Sequence, residues 1–151
     1  MNAFRFPLQK VLEWRRTQLD LEESRLQQRI AAAAELDRAR AELTAQGIRA
    51  EADLRSWRMV DGRDLGALDE FHLRVQSRGR EIDGRRARCR EELQAQQVRL
   101  LEARRRSRLL ERLRDRRWAE WQAAQSREIE ETSAESYLAR WNRRPPSHSP
   151  L

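Results

Sequence analysis

Apolar side chains recur along most of this chain at alternating spacings of three and four, which gathers them on one stripe of an α-helix. Counting in sevens from Leu12 gives Leu12, Leu19, Leu26, Ala33, Arg40, Gly47 and Leu54, and the positions three further on give Arg15, Glu22, Arg29, Leu36, Leu43, Ala50 and Trp57. These are the a and d rows of one heptad register. A second register starts after Gly66, with Leu68, Val75, Ile82, Cys89, Gln96, Ala103 and Leu110 at d and His72, Gly79, Arg86, Leu93, Leu100, Ser107, Arg114 and Trp121 at a. Both seams carry charged and polar members. The pattern predicts two long helices held by a narrow, imperfect apolar contact.

The break between the registers places the connection. Met59-Val60-Asp61-Gly62-Arg63-Asp64-Leu65-Gly66 has two close glycines, an Asp-Gly pair and no helical face, so it is expected to turn the chain. A rival turn at Gly79 and Asp83-Gly84 fails, because Leu68, Val75, Ile82 and Cys89 run through it without losing phase. Two long helices joined by a short turn must lie antiparallel. The expected fold is therefore all-α, a long antiparallel two-helix coiled-coil hairpin over residues 1–142. Helix one is placed at about 7–58, opening on Pro7, whose missing N–H costs nothing in a first turn. The turn is placed at about 59–66, with Asp64 or Gly66 as the cap of helix two, which runs over about 67–141. The Pro- and Ser-rich tail, residues 143–151, is expected to be disordered.

If a layers meet d layers, one register sets Leu54 against Val75, Leu36 against Leu93, Leu19 against Leu110 and Leu8 against Trp121. It also sets Arg15 against Arg114, a like-charge cost. A slip of one heptad pairs Leu54 with Leu68 and Leu12 with Leu110 and parts those arginines. The sequence leaves both open. In either, the stretch from about Gln122 to Trp141 runs past the N-terminus, so that Ile129, Tyr137, Leu138 and Trp141 find no cover from helix one. In either, too, Trp118 and Trp121 come near the opening Phe4, Phe6 and Leu8.

Composition narrows the function classes. The chain has 32 basic residues, of which only Lys10 is a lysine, against 25 acidic ones, for a formal net charge of +7. That balance admits nucleic acid, anionic lipid or an acidic protein surface as partner. The arginine runs at Arg85–Arg90 and Arg104–Arg108 are nevertheless mixed with acids, and Glu102 with Arg106, Arg108 with Glu111 and Arg112 with Asp115 stand at ion-pair spacing on a helix face. No known nucleic-acid module shows, so no specific nucleic acid is expected. Cys89 is the single cysteine and His72 and His148 the only histidines, which leaves no disulfide framework and no metal-ligand spacing. Neither a phosphate loop nor a nucleophile-base grouping is present, and a coiled coil offers no deep pocket. The reading is of a non-enzymatic protein with no cofactor and no metal, and Cys89 as a small seam residue. Lacking any membrane-spanning run or signal-peptide core, the chain is expected in the cytosol.

The opening Phe4-Arg5-Phe6-Pro7-Leu8-Gln9-Lys10-Val11-Leu12-Glu13-Trp14-Arg15 resembles the start of the flagellar FliJ family, which reads roughly Phe-x-Phe-x-Leu-Gln-x-Leu/Val-Leu-x-x-Arg. The stretch Leu101-Glu102-Ala103-Arg104-Arg105-Arg106-Ser107-Arg108-Leu109-Leu110-Glu111-Arg112-Leu113 is similar to that family's Ala-Arg-rich segment followed by Leu-Glu-x-Leu. The resemblance implies a component of the flagellar type III export machine, built like the central stalk of a rotary ATPase. It implies the hexameric export ATPase, the membrane export-gate protein and export chaperones as partners, and a place at the inner face of the cell membrane held only through them.

Carried onto this sequence, the resemblance makes Phe4, Phe6, Leu8, Leu12, Arg15, Arg104 and Leu110 ATPase-facing, joined by Trp118 and Trp121 through their place beside the opening aromatics. It makes Phe71 and Val75 gate-facing, with Arg78 where the family has a small residue. The stalk proteins of injectisome secretion are the nearest alternative, and a basic coiled-coil nucleic-acid-binding protein a more distant one.

Overall fold

The structure, a computed structural model, describes residues 3–143. It is all-helical, with two long helices packed against each other, α1 (Gln9–Ser56) and α2 (Gly62–Asn142). The expected disorder of the tail falls almost wholly on 144–151, outside the described residues. The chain divides into two compact units, Arg16–Arg105 and Met1–Arg15 with Arg106–Leu151.

In the Arg16–Arg105 unit the half-buried and buried positions follow the two heptad rows, from Leu19 to Leu54 on α1 and from Leu68 to Ala103 on α2. Contacts across the seam settle the register. A Cβ on Gly47 would lie 3.8 Å from Val75, Arg86 Nε donates to Asp37 at 2.8 Å, and His72 Nε2 is 3.3 Å from Glu51. This is the slipped register, so Val75 faces Gly47 rather than Leu54. Charge has a part in that choice, since it brings Arg86 to Asp37 and Arg40 to Asp83 across the seam. Among the described residues the buried apolar side chains are Phe6, Leu12, Leu43 and Leu100. At about 1.5–3 kcal/mol for each fully buried side chain, such a seam holds the helices only modestly.

The reversal is shorter and earlier than the glycines predict. It occupies Trp57–Asp61, and Gly62 and Gly66 both lie inside α2. Asp61 decides the boundary: its Oδ1 accepts from the backbone N–H groups of Arg63 and Asp64 at 2.8 and 2.9 Å, and Asp64 Oδ2 accepts in return from the Asp61 N–H at 3.1 Å. This is a reciprocal capping box with Asp in both places, so Asp64 closes the cap from within the helix and Asp61 is the cap itself. No residue from Trp57 to Gly66 has a positive φ, Gly62 and Gly66 included. At the end of α1, Ser56 Oγ donates to the Asp53 carbonyl at 2.6 Å, and Trp57, assigned above to the d row, lies past the helix and is 53% exposed.

In the second unit Phe6, Pro7, Leu8 and Gln9 form a turn closed by Gln9 N–H donating to the Phe6 carbonyl at 3.1 Å, and α1 starts at Gln9 rather than at Pro7. Phe6 and Leu12 are buried in this unit, with Ser107 of α2 buried and Leu110 half-buried. From Ser126 to Arg143 every residue is exposed, although α2 continues unbroken to Asn142.

Candidate partner-binding surfaces

The N-terminal residues bring aromatic rings together in the unit formed by Met1–Arg15 and Arg106–Leu151. Phe4 stands edge-on to Trp118, with ring centroids 5.1 Å apart and planes at 82°, and lies 6.0 Å from Trp121. Trp118 and Trp121, three residues apart on one helical face, stack at 5.1 Å. Such edge-to-face and offset contacts add about 0.5–1.5 kcal/mol each beyond the area they cover. Trp118 remains 42% exposed and Leu8 38%, so the cluster is partly core and partly surface.

The sequence-assigned residues separate into two sets here. Phe6 is 8% exposed and Leu12 fully buried, so these two support the surface rather than form it. Phe4, Leu8, Trp118 and Trp121 offer apolar area, and Arg15 lies over the ring of Trp14 with its guanidinium carbon 4.7 Å from the centroid. Leu110 is half-buried. Arg104 belongs to the other unit, where it meets Glu23 at 3.3 Å.

Near the reversal, Phe71 is half-buried beside a shallow recess lined by Leu54, Trp57, Ala67 and Leu68. Val75 is a seam residue against Gly47, half-buried like Phe71. Ile48 and Leu73, 63% and 65% exposed, flank an open hollow over Gly47 and His72. They are apolar residues outside both seam rows, and that position was the available signal.

The seam itself is rich in ionic contacts. Arg40 Nε donates to Asp83 at 3.1 Å, and Arg86 donates both to Asp37 and, at 3.2 Å, to Asp83. Partial desolvation pushes the Asp83 carboxyl up, but hydrogen bonds from Arg86 and Arg40 outweigh it and hold its pKa below the ordinary 3.8. The Arg86 guanidinium is raised, first by its bond to Asp37 and then by Asp83. Lower down, Gln96 is 1% exposed, and its Nε2 donates to the Glu22 carbonyl at 3.2 Å and to the Glu22 carboxylate. Its Oε1 finds no partner. Cys89 is half-buried, its Sγ 4.0 Å from the Arg29 carbonyl, a packed seam position.

On α2, neither Arg108 nor Arg112 has an ion-pair partner among the described residues. No group of three or more His, Cys, Asp or Glu residues among those described could hold a metal ion, and no helix is long and apolar enough to cross a membrane.

No family model, curated protein or solved structure matches this chain. The surfaces above are therefore defined by their own geometry: a partly exposed aromatic cluster in one unit, and a half-buried phenylalanine beside the reversal in the other.

Proposed function

We propose that the chain is a non-enzymatic, stalk-like component of bacterial flagellar type III protein export that binds the hexameric export ATPase and couples it to the membrane export gate. The observation that carries the reading is the opening string from Phe4 to Arg15, whose aromatic and Leu-Gln spacing resembles the flagellar family and is not demanded by a heptad repeat. Packing of Phe4 against Trp118 and Trp121 supports it, because it gives the string a role in shaping a surface.

In this reading Phe4, Leu8, Trp118 and Trp121 contact the ATPase, with nearby arginines directed at acidic loop residues. Phe6 and Leu12 hold that surface in place. A stalk inside a six-fold ring meets six equivalent surfaces in turn, so a small aromatic and aliphatic contact suits it better than one deep pocket. Phe71 is the gate contact, Val75 supports its helix, and export chaperones are further partners. The protein then works at the cytoplasmic face of the membrane, held there through its partners.

The test is ATP hydrolysis by a cognate export ATPase with and without the protein. Trp118→Ala with Trp121→Ala should lower stimulation several-fold, in line with about 1–2 kcal/mol for each lost anchor, while helical content stays nearly unchanged. Phe71→Ala should spare stimulation and weaken capture by the export-gate protein. Tight, sequence-specific DNA binding at about 150 mM salt, with no effect on the ATPase, would overturn the reading. Stimulation of an injectisome ATPase alone would transfer it to that system.

A further inference from the structure

The end of α2 presents an apolar face that nothing among the described residues covers. Ala134, Tyr137, Leu138 and Trp141 stand at i, i+3, i+4 and i+7, the spacing of a helix laid against another surface. Tyr137, Leu138 and Trp141 are 66%, 58% and 61% exposed. At 3.6 residues per turn this face is not the one that carries Trp118 and Trp121. α2 keeps its helical form through this stretch.

Followed towards the N-terminus, the same face carries Glu130, then the small residues Ala123 and Ala119, then Arg116, Arg112 and the 65% exposed Leu109. On this face Glu130, with Glu131 at its edge, lies on one side of Ala123 together with Arg127, whereas Arg112 and Arg116, with Arg108 at the edge, lie on the other. Those last three arginines and Glu130 have no ion-pair partner among the described residues. Reversing the helix about Ala123 exchanges the two halves: Arg116 then lies over Glu130, with Arg112 one turn away, Arg127 lies over Ala119, and Leu109 comes over Tyr137. A face whose two halves complement each other in this way fits a copy of itself related by a two-fold axis.

We propose that this face of α2 binds a second copy of the chain, antiparallel, with the two-fold axis beside Ala123. The alanines let the helices approach closely at the axis. Arg112 and Arg116 of each copy meet Glu130 and its neighbour Glu131 of the other, and the apolar residues at both ends exclude water. The pairing is independent of the export reading, since it uses another face and is measured without an ATPase.

Sedimentation equilibrium of the full chain, from about 1 to 100 µM at low and physiological salt, should show a monomer–dimer equilibrium that weakens as salt screens the arginine–carboxylate pairs. Tyr137→Ser with Trp141→Ser should raise the dimer dissociation constant by about tenfold or more. Helix content by circular dichroism checks that this variant remains folded. Arg112→Glu with Arg116→Glu should abolish pairing, and adding Glu130→Arg and Glu131→Arg to the same chain should restore it, which a merely local effect would not do. A monomer at every concentration overturns the proposal. So does a dimer that both variants leave intact. A chain monomeric alone that binds a DNA duplex through Arg112 and Arg116 overturns it as well and assigns the face to nucleic acid.

Discussion

Gly79 lies directly across the seam from Arg40, so that a Cβ at residue 79 would come 3.2 Å from the guanidinium carbon. The absence of a side chain there makes room for a charged one at an a position, and Arg40 uses the space to reach Asp83 while also donating to Thr44 at 3.0 Å. Two residues that look like faults in a heptad pattern thus form one fitted layer.

That fit separates two glycine substitutions that propensity alone would treat alike. Gly84 has nothing within 4 Å of a built Cβ, so Gly84→Ala should gain the full helix-propensity benefit of about 0.8–1 kcal/mol. At Gly79 the same gain is opposed by displacement of Arg40, and Gly79→Leu should destabilise the pair outright by overpacking, at about 1–3 kcal/mol. Urea denaturation midpoints of the three variants should rank Gly84→Ala above the parent chain and Gly79→Leu below it, with Gly79→Ala gaining less than Gly84→Ala.

Gln96 is the other polar seam residue whose cost can be read directly. Its carbonyl oxygen is buried without a partner, and an unsatisfied buried group costs about 1–3 kcal/mol. Gln96→Leu, close to it in volume, should stabilise the chain by about 1–2 kcal/mol, since Glu22 keeps Arg25 at 2.9 Å. Chemical denaturation measures it, and a lower midpoint would mean that the Gln96–Glu22 bonds outweigh the orphaned oxygen.

Acid should loosen the seam through Asp83. A carboxylate held below its ordinary 3.8 binds fewer protons in the folded chain than in the unfolded one. Its contribution is therefore complete above that value and disappears as the pH falls through the lowered pKa. Thermal melts of the parent chain and of Asp83→Asn should differ at pH 7, with the parent more stable, and converge as the pH is taken well below 4. A gap that stayed constant with pH would assign the effect to packing rather than to charge.

The cap of α2 offers a local test. Asp61→Ala removes the oxygen that accepts from Arg63 and Asp64 and should cost about 1 kcal/mol. Hydrogen exchange of the first amides of α2 should rise, while exchange near Leu100 follows only the global change in stability.

Both heptad rows could be read from the sequence because side-chain period and burial are one geometric fact on a helix, and Leu19, Leu36, Leu43, Leu93 and Leu100 carry the signal clearly. The register between the helices could not, because a slip of one heptad sets leucine against leucine either way. What separates the alternatives are cross-seam pairs such as Arg86 with Asp37, visible only once the helices are side by side. The reversal misled for a different reason. Gly62 and Gly66 read as breakers, yet a helix tolerates glycine once its first turn is capped, and Asp61 supplies that cap. In the aromatic cluster, proximity of Phe4 to Trp118 and Trp121 was legible. Burial of Leu12 follows from its place in the a row, whereas burial of Phe6 rather than Leu8 could not be read, because it depends on the turn before Gln9.

The reversal between α1 and α2 contains no backbone conformation that only glycine can adopt. Its stop is a carboxylate at position 61, and Arg58, Met59 and Val60 are exposed, so nothing in the backbone geometry obliges residues 58–60 to keep their identities or even their number. A short epitope or fluorophore-binding peptide placed between Met59 and Val60, with Asp61 to Asp64 left whole, should leave both helices as they are. The protein thus provides its own attachment point for following the molecule in a living cell.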